Sequence, residues 1–219
     1  MYKYKLLNNH YVVEIDNRYY IIDTGCPFSF TFRNDLNMVK INNHFYPLNP
    51  SGYTFNIKKT HNLVGFPVDG LLGSDVFSES GLTFYKEKED EGKIDFASHD
   101  INGMMCPIVG MMHAPIININ GRNKFVVDTG ARYAYGSGNA IAGLKPYGEV
   151  DDYNPSLGDL HSPIYHSEIM VNEKRCPIDV CYNSKVASNT PGVFIIGNIT
   201  TLFEKECCIN YREKKIILN

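Results

Sequence analysis

The sequence predicts an all-β fold with a few short helices, built twice within one chain. Two observations lead there. Short β-rich runs bounded by turn residues recur throughout, at Tyr11 to Ile15, Tyr19 to Ile22, Tyr53 to Ile57, Ile116 to Ile119, Phe125 to Val127 and Ile216 to Leu218, and such runs read as strands. The segment Ile21-Ile22-Asp23-Thr24-Gly25 returns 105 residues on (128 − 23) as Val126-Val127-Asp128-Thr129-Gly130. Self-similarity at a fixed offset marks a duplicated unit.

Each element follows in chain order. In the first unit two strands meet at an Asp16-Asn17 turn and lead into Asp23-Thr24-Gly25. There Gly permits a tight turn that leaves the Asp side chain projecting. Next come the turn residues Asn49-Pro50-Ser51-Gly52, the apolar Leu71-Leu72-Gly73, a short helix over Ser74 to Glu79 and a charged hairpin from Leu82 to Phe96. The second unit repeats the order, with its strands joined at Asn120-Gly121, turn residues at Asn154-Pro155-Ser156, Ile195-Ile196-Gly197 and a hairpin from Cys207 to Leu218. Two further short helices fall at Asn139 to Leu144 and Ile199 to Lys205. Asn49-Pro50-Ser51 maps onto Asn154-Pro155-Ser156 at the first offset, whereas Leu71-Leu72-Gly73 maps onto Ile195-Ile196-Gly197 at 124 (197 − 73), so the second unit carries 19 extra residues between. The units span 1–98 and 113–219, and the Met-rich, Gly-containing stretch 99–112 reads as a linker.

Composition narrows the function. Hydrophobic residues at 43% and charged residues at 21% are ordinary for a folded globular chain. A formal charge of −3 offers no basic footprint for nucleic acid or for an anionic membrane. The longest apolar runs, Tyr19 to Ile22 and Val193 to Ile196, fall far short of the roughly 20 residues that span a bilayer. The N-terminus carries charge without an apolar stretch after it, so the chain reads as non-secreted and cytoplasmic. Six cysteines are too few for a disulfide scaffold, and the adjacent Cys207 and Cys208 cannot both enter one core from a strand. Free thiols are expected.

One Asp-Thr-Gly is weak evidence, since Asp-x-Gly also caps ordinary turns. That reading leaves the duplication of the whole surrounding unit unexplained. With both apolar-apolar-Asp-Thr-Gly segments, both later apolar-apolar-Gly segments and the hairpins that follow, the chain resembles the aspartic peptidases of the pepsin and retropepsin type over essentially its whole length. The resemblance implies two pseudo-symmetric acid-protease-like β-barrel lobes with short helices, in a single-chain monomer. It places Asp23 and Asp128 together as a catalytic dyad at the interface. Thr24 and Thr129 would lock the loops through hydroxyl-to-backbone bonds, and Gly25 and Gly130 would let backbone approach the carboxylates.

The chemistry accounts for the need for two copies. Carboxylates about 3 Å apart cannot both ionise and share one proton. One activates water as a general base while the other protonates the scissile carbonyl oxygen. No metal or cofactor is required. The substrate implied is an extended peptide or protein, covered by flaps with tips at Pro50, Ser51, Gly52 and Tyr53 and at Pro155, Ser156, Leu157 and Gly158. Both tip segments begin 26 residues after their Asp (49 − 23 and 154 − 128). Tyr53 reads either as a flap tyrosine reaching toward the dyad or as an exposed hairpin residue.

The residue after Asp-Thr-Gly departs from the family, where it is Ser or Thr in pepsins and Ala in retropepsins. Here it is Cys26 in one copy and Ala131 in the other. Cys26 reads as a spectator or as a redox handle. A zinc site at His161, His166, Cys176 and Cys181 fails on strand parity, because each pair is five residues apart (166 − 161 and 181 − 176) and so faces opposite ways. Intact Asp in both copies favours an enzyme over the alternative, a catalytically silent peptide-binding or scaffolding relative of the same fold.

Overall fold

The computed structural model describes residues 1–52, 55–112 and 114–219. Strands take up 49% of the chain and helices 11%, so the protein is all-β. Tight turns set the strand registers. Asn8-Asn9, Asp16-Asn17, Asn42-Asn43, Asn120-Gly121 and Asn172-Glu173 all carry positive φ at both positions, the backbone that two-residue hairpins require and that Asn, Asp and Gly tolerate best.

Both halves show the same pairing order. In the first, Tyr2–Leu7, His10–Ile15 and Arg18–Ile22 form an antiparallel meander. Gly70–Leu72 lies parallel to Arg18–Ile22 and antiparallel to Phe30–Thr31. In the second, Ala114–Ile119 pairs with Asn123–Val127, and Ile195–Gly197 lies parallel to the latter and antiparallel to Ala134–Gly136. Ile22 stands opposite Leu72 and Val127 opposite Gly197. The structural offset here is therefore 125 (197 − 72), and the expected match of Gly73 with Gly197 is out by one residue.

A second correction concerns the first expected flap. Asn49–Pro50 is a two-residue strand lying parallel to Phe30–Thr31, the place that Val180 and Cys181 take beside Ala134 and Tyr135 in the second half. Pro50, Ser51 and Gly52 thus form no hairpin tip, and Ser51 N–H donates to Thr31 O at 3.1 Å. Tyr53 lies outside the described residues. The hairpin of this half is Met38–Ile41 with His44–Pro47. The additional chain of the second half builds a long meander of Gly148–Asn154, Gly158–Val171 and Lys174–Cys181.

A six-stranded antiparallel sheet joins the halves, in the order Tyr2–Leu7, Glu91–Asp95, Leu82–Lys86, Glu206–Asn210, Lys215–Leu218 and the first part of Met104–Met112. At its midline Phe84 faces Cys207 and Leu82 faces Ile209. One face, with Tyr4, Phe84, Ile94, Cys207, Ile209 and Cys106, belongs to the main core. Cys208 points the other way and is still fully buried, because the chain after Phe96 crosses that face: Thr83 Oγ1 donates to Ala97 O at 2.7 Å and accepts His99 N–H at 3.2 Å. All six cysteines are free.

The expected linker 99–112 is only partly a connection. Met104–Met112 is a strand that pairs first with Lys215–Leu218 and then, past a bulge, with Ala114–Ile119. Cys106 and Ile108 are buried while Met105, Val109 and Met111 are exposed, an alternation that pairing demands. Helices also differ from expectation. Ile57–Val64 is an α-helix, capped where Asn56 Oδ1 accepts Lys59 N–H and closed by left-handed Gly65, so Ile57 opens a helix rather than ending a strand. Ser184–Asn189 is another, whereas the helix expected over Ser74 to Glu79 is confined to Ser74–Phe77 and the other two shrink to single 3-10 turns at Gly138–Ala140 and Ile199–Leu202. No helix among the described residues is long and apolar enough to cross a membrane.

Candidate active site

Arg18–Ile22 and Asn123–Val127 each run out into an Asp-Thr-Gly loop. Asp23 N–H donates to Leu72 O at 3.0 Å and Asp128 N–H to Gly197 O at 2.9 Å, so the parallel pairings set where each loop begins. The loops then engage each other. Thr24 N–H donates to Thr129 Oγ1 and Thr129 N–H to Thr24 Oγ1, both at 3.0 Å. Each hydroxyl donates onward at 2.8 Å, Thr24 to Val127 O and Thr129 to Ile22 O. Both threonines are fully buried.

This lock brings each carboxylate onto the other half's glycine. A Cβ on Gly25 would lie 2.5 Å from Asp128 Cγ, and one on Gly130 would lie 2.3 Å from Asp23 Cγ. Any larger residue would displace a carboxylate. Asp23 Oδ1 accepts Gly25 N–H at 2.8 Å and Cys26 N–H at 2.9 Å, and Asp128 Oδ1 accepts Gly130 N–H at 2.9 Å. The two carboxyl groups act directly on each other's protonation. Burial, followed by the neighbouring Asp128, raises Asp23 well above the carboxylate range, and burial raises Asp128 against the pull of the donors around it. Such a pair retains a proton and titrates as a unit.

Cys26 Sγ donates to Phe28 O at 3.2 Å. Burial, then the charge of Asp23, pushes the thiol up to about 12, the reverse of a reactive cysteine. The geometry favours the spectator reading. Ala131 has no hydroxyl, so neither position following the glycine supplies a side-chain hydroxyl to the carboxylates.

Both aspartates line a cavity of about 130 Å³. A larger groove of about 350 Å³ lies between Lys3, Tyr19, Phe66 and Glu91 on the first half, away from the dyad. The dyad cavity is walled on one side by Ile21, Phe55, Leu63 and Leu71 and on the other by Tyr135, Asp152, Leu160, Val186 and Ile196. Its cover comes from the second half. The hairpin of Gly148–Asn154 with Gly158–Val171 turns at Pro155, Ser156 and Leu157, and Asn154 Oδ1 accepts the N–H groups of Ser156 and Leu157. Asn154 and Pro155 reach the cavity itself.

This hairpin is tied across to the helix Ile57–Val64 of the first half. Lys59 Nζ meets both carboxylate oxygens of Asp159 at 2.7 and 2.5 Å and lies 5.4 Å from the Tyr153 ring centre, while Tyr153 Oη accepts Asn56 N–H at 3.3 Å.

Several site residues escaped the sequence reading. Asp75 accepts Ser29 N–H and Oγ–H at 2.9 and 2.6 Å, and Ser29 Oγ accepts Gly73 N–H at 2.9 Å, bracing the first loop from behind. His10 is buried beside the second loop and lines the cavity; burial lowers it to about 4, so it is neutral. Asp152 stood in the sequence as one of two adjacent acids, and strand alternation was the one signal that either faced inward. Among the described residues no group of three His, Cys, Asp or Glu side chains has an arrangement that could hold a metal ion. His161 instead meets Asp151 and Glu149, and His166 meets Asp179.

No protein-family model matches the chain, and no curated protein matches its sequence.

Proposed function

We propose that the chain is an aspartic endopeptidase in which each half is an acid-protease-like β-barrel lobe and Asp23 and Asp128 form the catalytic dyad. The single observation that carries this reading is the crossed contact of each buried carboxylate with the other half's glycine, inside one cavity. Two such groups retain one proton between them. The ionised member takes a proton from water as the water oxygen attacks the scissile carbonyl carbon, and the protonated member gives its proton to the carbonyl oxygen. Collapse of the tetrahedral diol breaks the C–N bond; the first carboxyl protonates the departing amine, and the second recovers a proton from the diol. Buried N–H donors at Gly25, Cys26 and Gly130 hold the carboxylates in place throughout.

The substrate is an extended peptide lying under the hairpin tip at Pro155. With both carboxylates in one chain, the monomer is the active species. The test is digestion of a diverse peptide library by the parent, Asp23→Asn and Asp128→Asn proteins, with and without a statine-type inhibitor. Cuts that the inhibitor abolishes, and that fall at least about 10³-fold in either variant, support the dyad. Binding of the library without cuts would instead favour a silent peptide-binding relative.

A further inference from the structure

The two walls of the cavity differ in chemistry. On the first half Ile21, Phe55, Leu63 and Leu71 present carbon, with Thr60 and the neutral His10 beside them and no charged group besides Asp23. On the second, Leu160, Val186 and Ile196 surround a third carboxylate, Asp152. Two donors hold it in place. Tyr135 Oη, on a buried side chain, donates to Asp152 Oδ2 at 2.8 Å, and Tyr153 N–H donates to Oδ1 at 2.9 Å. Behind them Asn183 Nδ2 donates to the buried Ser162 Oγ, one strand inward.

Asp152 has no ion-pair partner within salt-bridge distance. Among the described residues none of the ion pairs includes it. Arg132 also lines the cavity and its charge reaches Asp152 from beyond ion-pair distance, while its guanidinium lies over the Tyr133 ring, 5.0 Å from the centre. The neighbouring acids Asp151 and Asp159 are already engaged by His161 and Lys59. Burial raises Asp152 above the usual carboxylate range, against the pull of the Tyr135 and Tyr153 donors and of the Arg132 charge. Each of its oxygens has one donor and a free lone pair, so a cation arriving with the substrate would complete the set.

We infer that Asp152 is a specificity-determining residue, selecting a Lys or Arg side chain at the substrate position held by the second half's wall, beside an apolar side chain on the first half's wall. The aliphatic stem of such a residue packs along Leu160, Val186 and Ile196 while its charged head meets the carboxylate. An apolar residue there would bury the acid beside carbon with nothing to pair it, which costs affinity.

This inference rests on the peptidase reading for the placement of the substrate, and its test separates the two. Paired peptides carry Lys or the uncharged isostere norleucine at each position flanking the cut bond. Expected is a preference for Lys at one flank of roughly tenfold to a hundredfold in kcat/KM in the parent, the size of a charge-assisted hydrogen bond. In Asp152→Asn that ratio falls to near one, the Lys peptide slowing and the norleucine peptide quickening, while an unchanged melting midpoint and circular dichroism spectrum report an intact fold. Equal rates on both peptides in the parent, or a ratio unchanged in Asp152→Asn, would overturn the inference and leave the peptidase reading standing. If no peptide is cut, calorimetric binding of reduced-bond versions reads the same subsite. A Lys preference lost in Asp152→Asn supports the assignment, and its absence in the parent sinks it.

Discussion

Thr24 and Thr129 each accept the other's backbone N–H at 3.0 Å and each donate at 2.8 Å to the strand end opposite. Four buried bonds therefore join two loops that are 105 residues apart in sequence. Thr24→Val keeps the shape and removes the hydroxyl, which strands the buried Thr129 N–H and Val127 C=O. The expected loss is about 2–4 kcal/mol, read as a lower urea midpoint with an unchanged slope. Thr24→Ser should recover most of it. A valine variant that unfolds at the parent's midpoint would show that the lock contributes nothing.

The carboxylate pair costs stability at neutral pH. Burial raises the folded-state values of both Asp23 and Asp128 above 3.8, and the neighbouring Asp128 raises Asp23 further, so the folded protein binds more protons than the unfolded chain over the interval between. For an acid raised in this way, stability is fully present below the unfolded value and is lost as pH climbs toward the folded one. Asp128→Asn should melt higher than the parent at pH 7, with the gap closing near pH 3. A constant gap across that range would mean that the pair does not hold its proton.

The residue after each glycine bears on the working pH. Cys26 gives its hydrogen to Phe28 O, and Ala131 has none to give. A hydroxyl donor would favour the charged carboxylate and lower the upper apparent pKa of the dyad. In Ala131→Ser the neutral-side limb of the bell-shaped kcat/KM profile should therefore move to lower pH. Superimposable profiles would remove Ala131 from the account.

The contact between Lys59 and Asp159 ties the hairpin of the second half to the helix of the first. The side chains are 43% and 72% exposed, so the pair contributes no more than about 1 kcal/mol and weakens with salt. Lys59→Met keeps most of the stem and drops the charge. Amide exchange in Gly148–Asn154 should then quicken a few-fold, with KM shifting more than kcat. Exchange that is insensitive both to the substitution and to salt would assign closure to other contacts.

The surface cluster of His161 with Asp151 and Glu149 responds to pH in the same direction as the dyad, by losing a stabilising contact rather than by charging a buried acid. The two carboxylates raise the imidazole above its ordinary value of 6.5, so the stabilisation is present below 6.5 and disappears as pH rises through the raised value. Exchange in the hairpin that carries Asp151 should be slower at pH 6 than at pH 9 after correction for intrinsic rates, and His161→Gln should abolish the difference. An unchanged difference in that variant would assign the pH response to other groups.

Much of the site was legible before any coordinates. The Asp-Thr-Gly pair, its offset and the hairpins after it are local motifs, and each needs particular residue types: Gly where a carboxylate crowds the backbone, Asn and Asp where φ is positive. Tight turns and repeats survive reading along a line. The Asn56 cap and Gly65 stop of the unforeseen helix were also legible signals, outweighed by the β-rich look of the residues just before them.

What the sequence alone determined was which residues form the two loops and that both halves are strand-built, because backbone sterics and side-chain alternation act over a few residues. Only the tertiary structure decided that one hairpin, at Pro155, reaches the cavity, that Asn49–Pro50 is a strand beside Phe30–Thr31, that Met104–Met112 belongs to the shared sheet, and that Asp152 faces the dyad cavity. Period-two alternation shows that a residue points to one face of a strand; it does not say which strand lies beside it. That choice is made by burial and hydrogen bonding summed over partners far apart in the chain. The repeated Asn-Pro-Ser shows the consequence: two identical tripeptides at one offset from their aspartates, one a strand end in a sheet and the other at a hairpin tip, because different neighbours were there to pair with them.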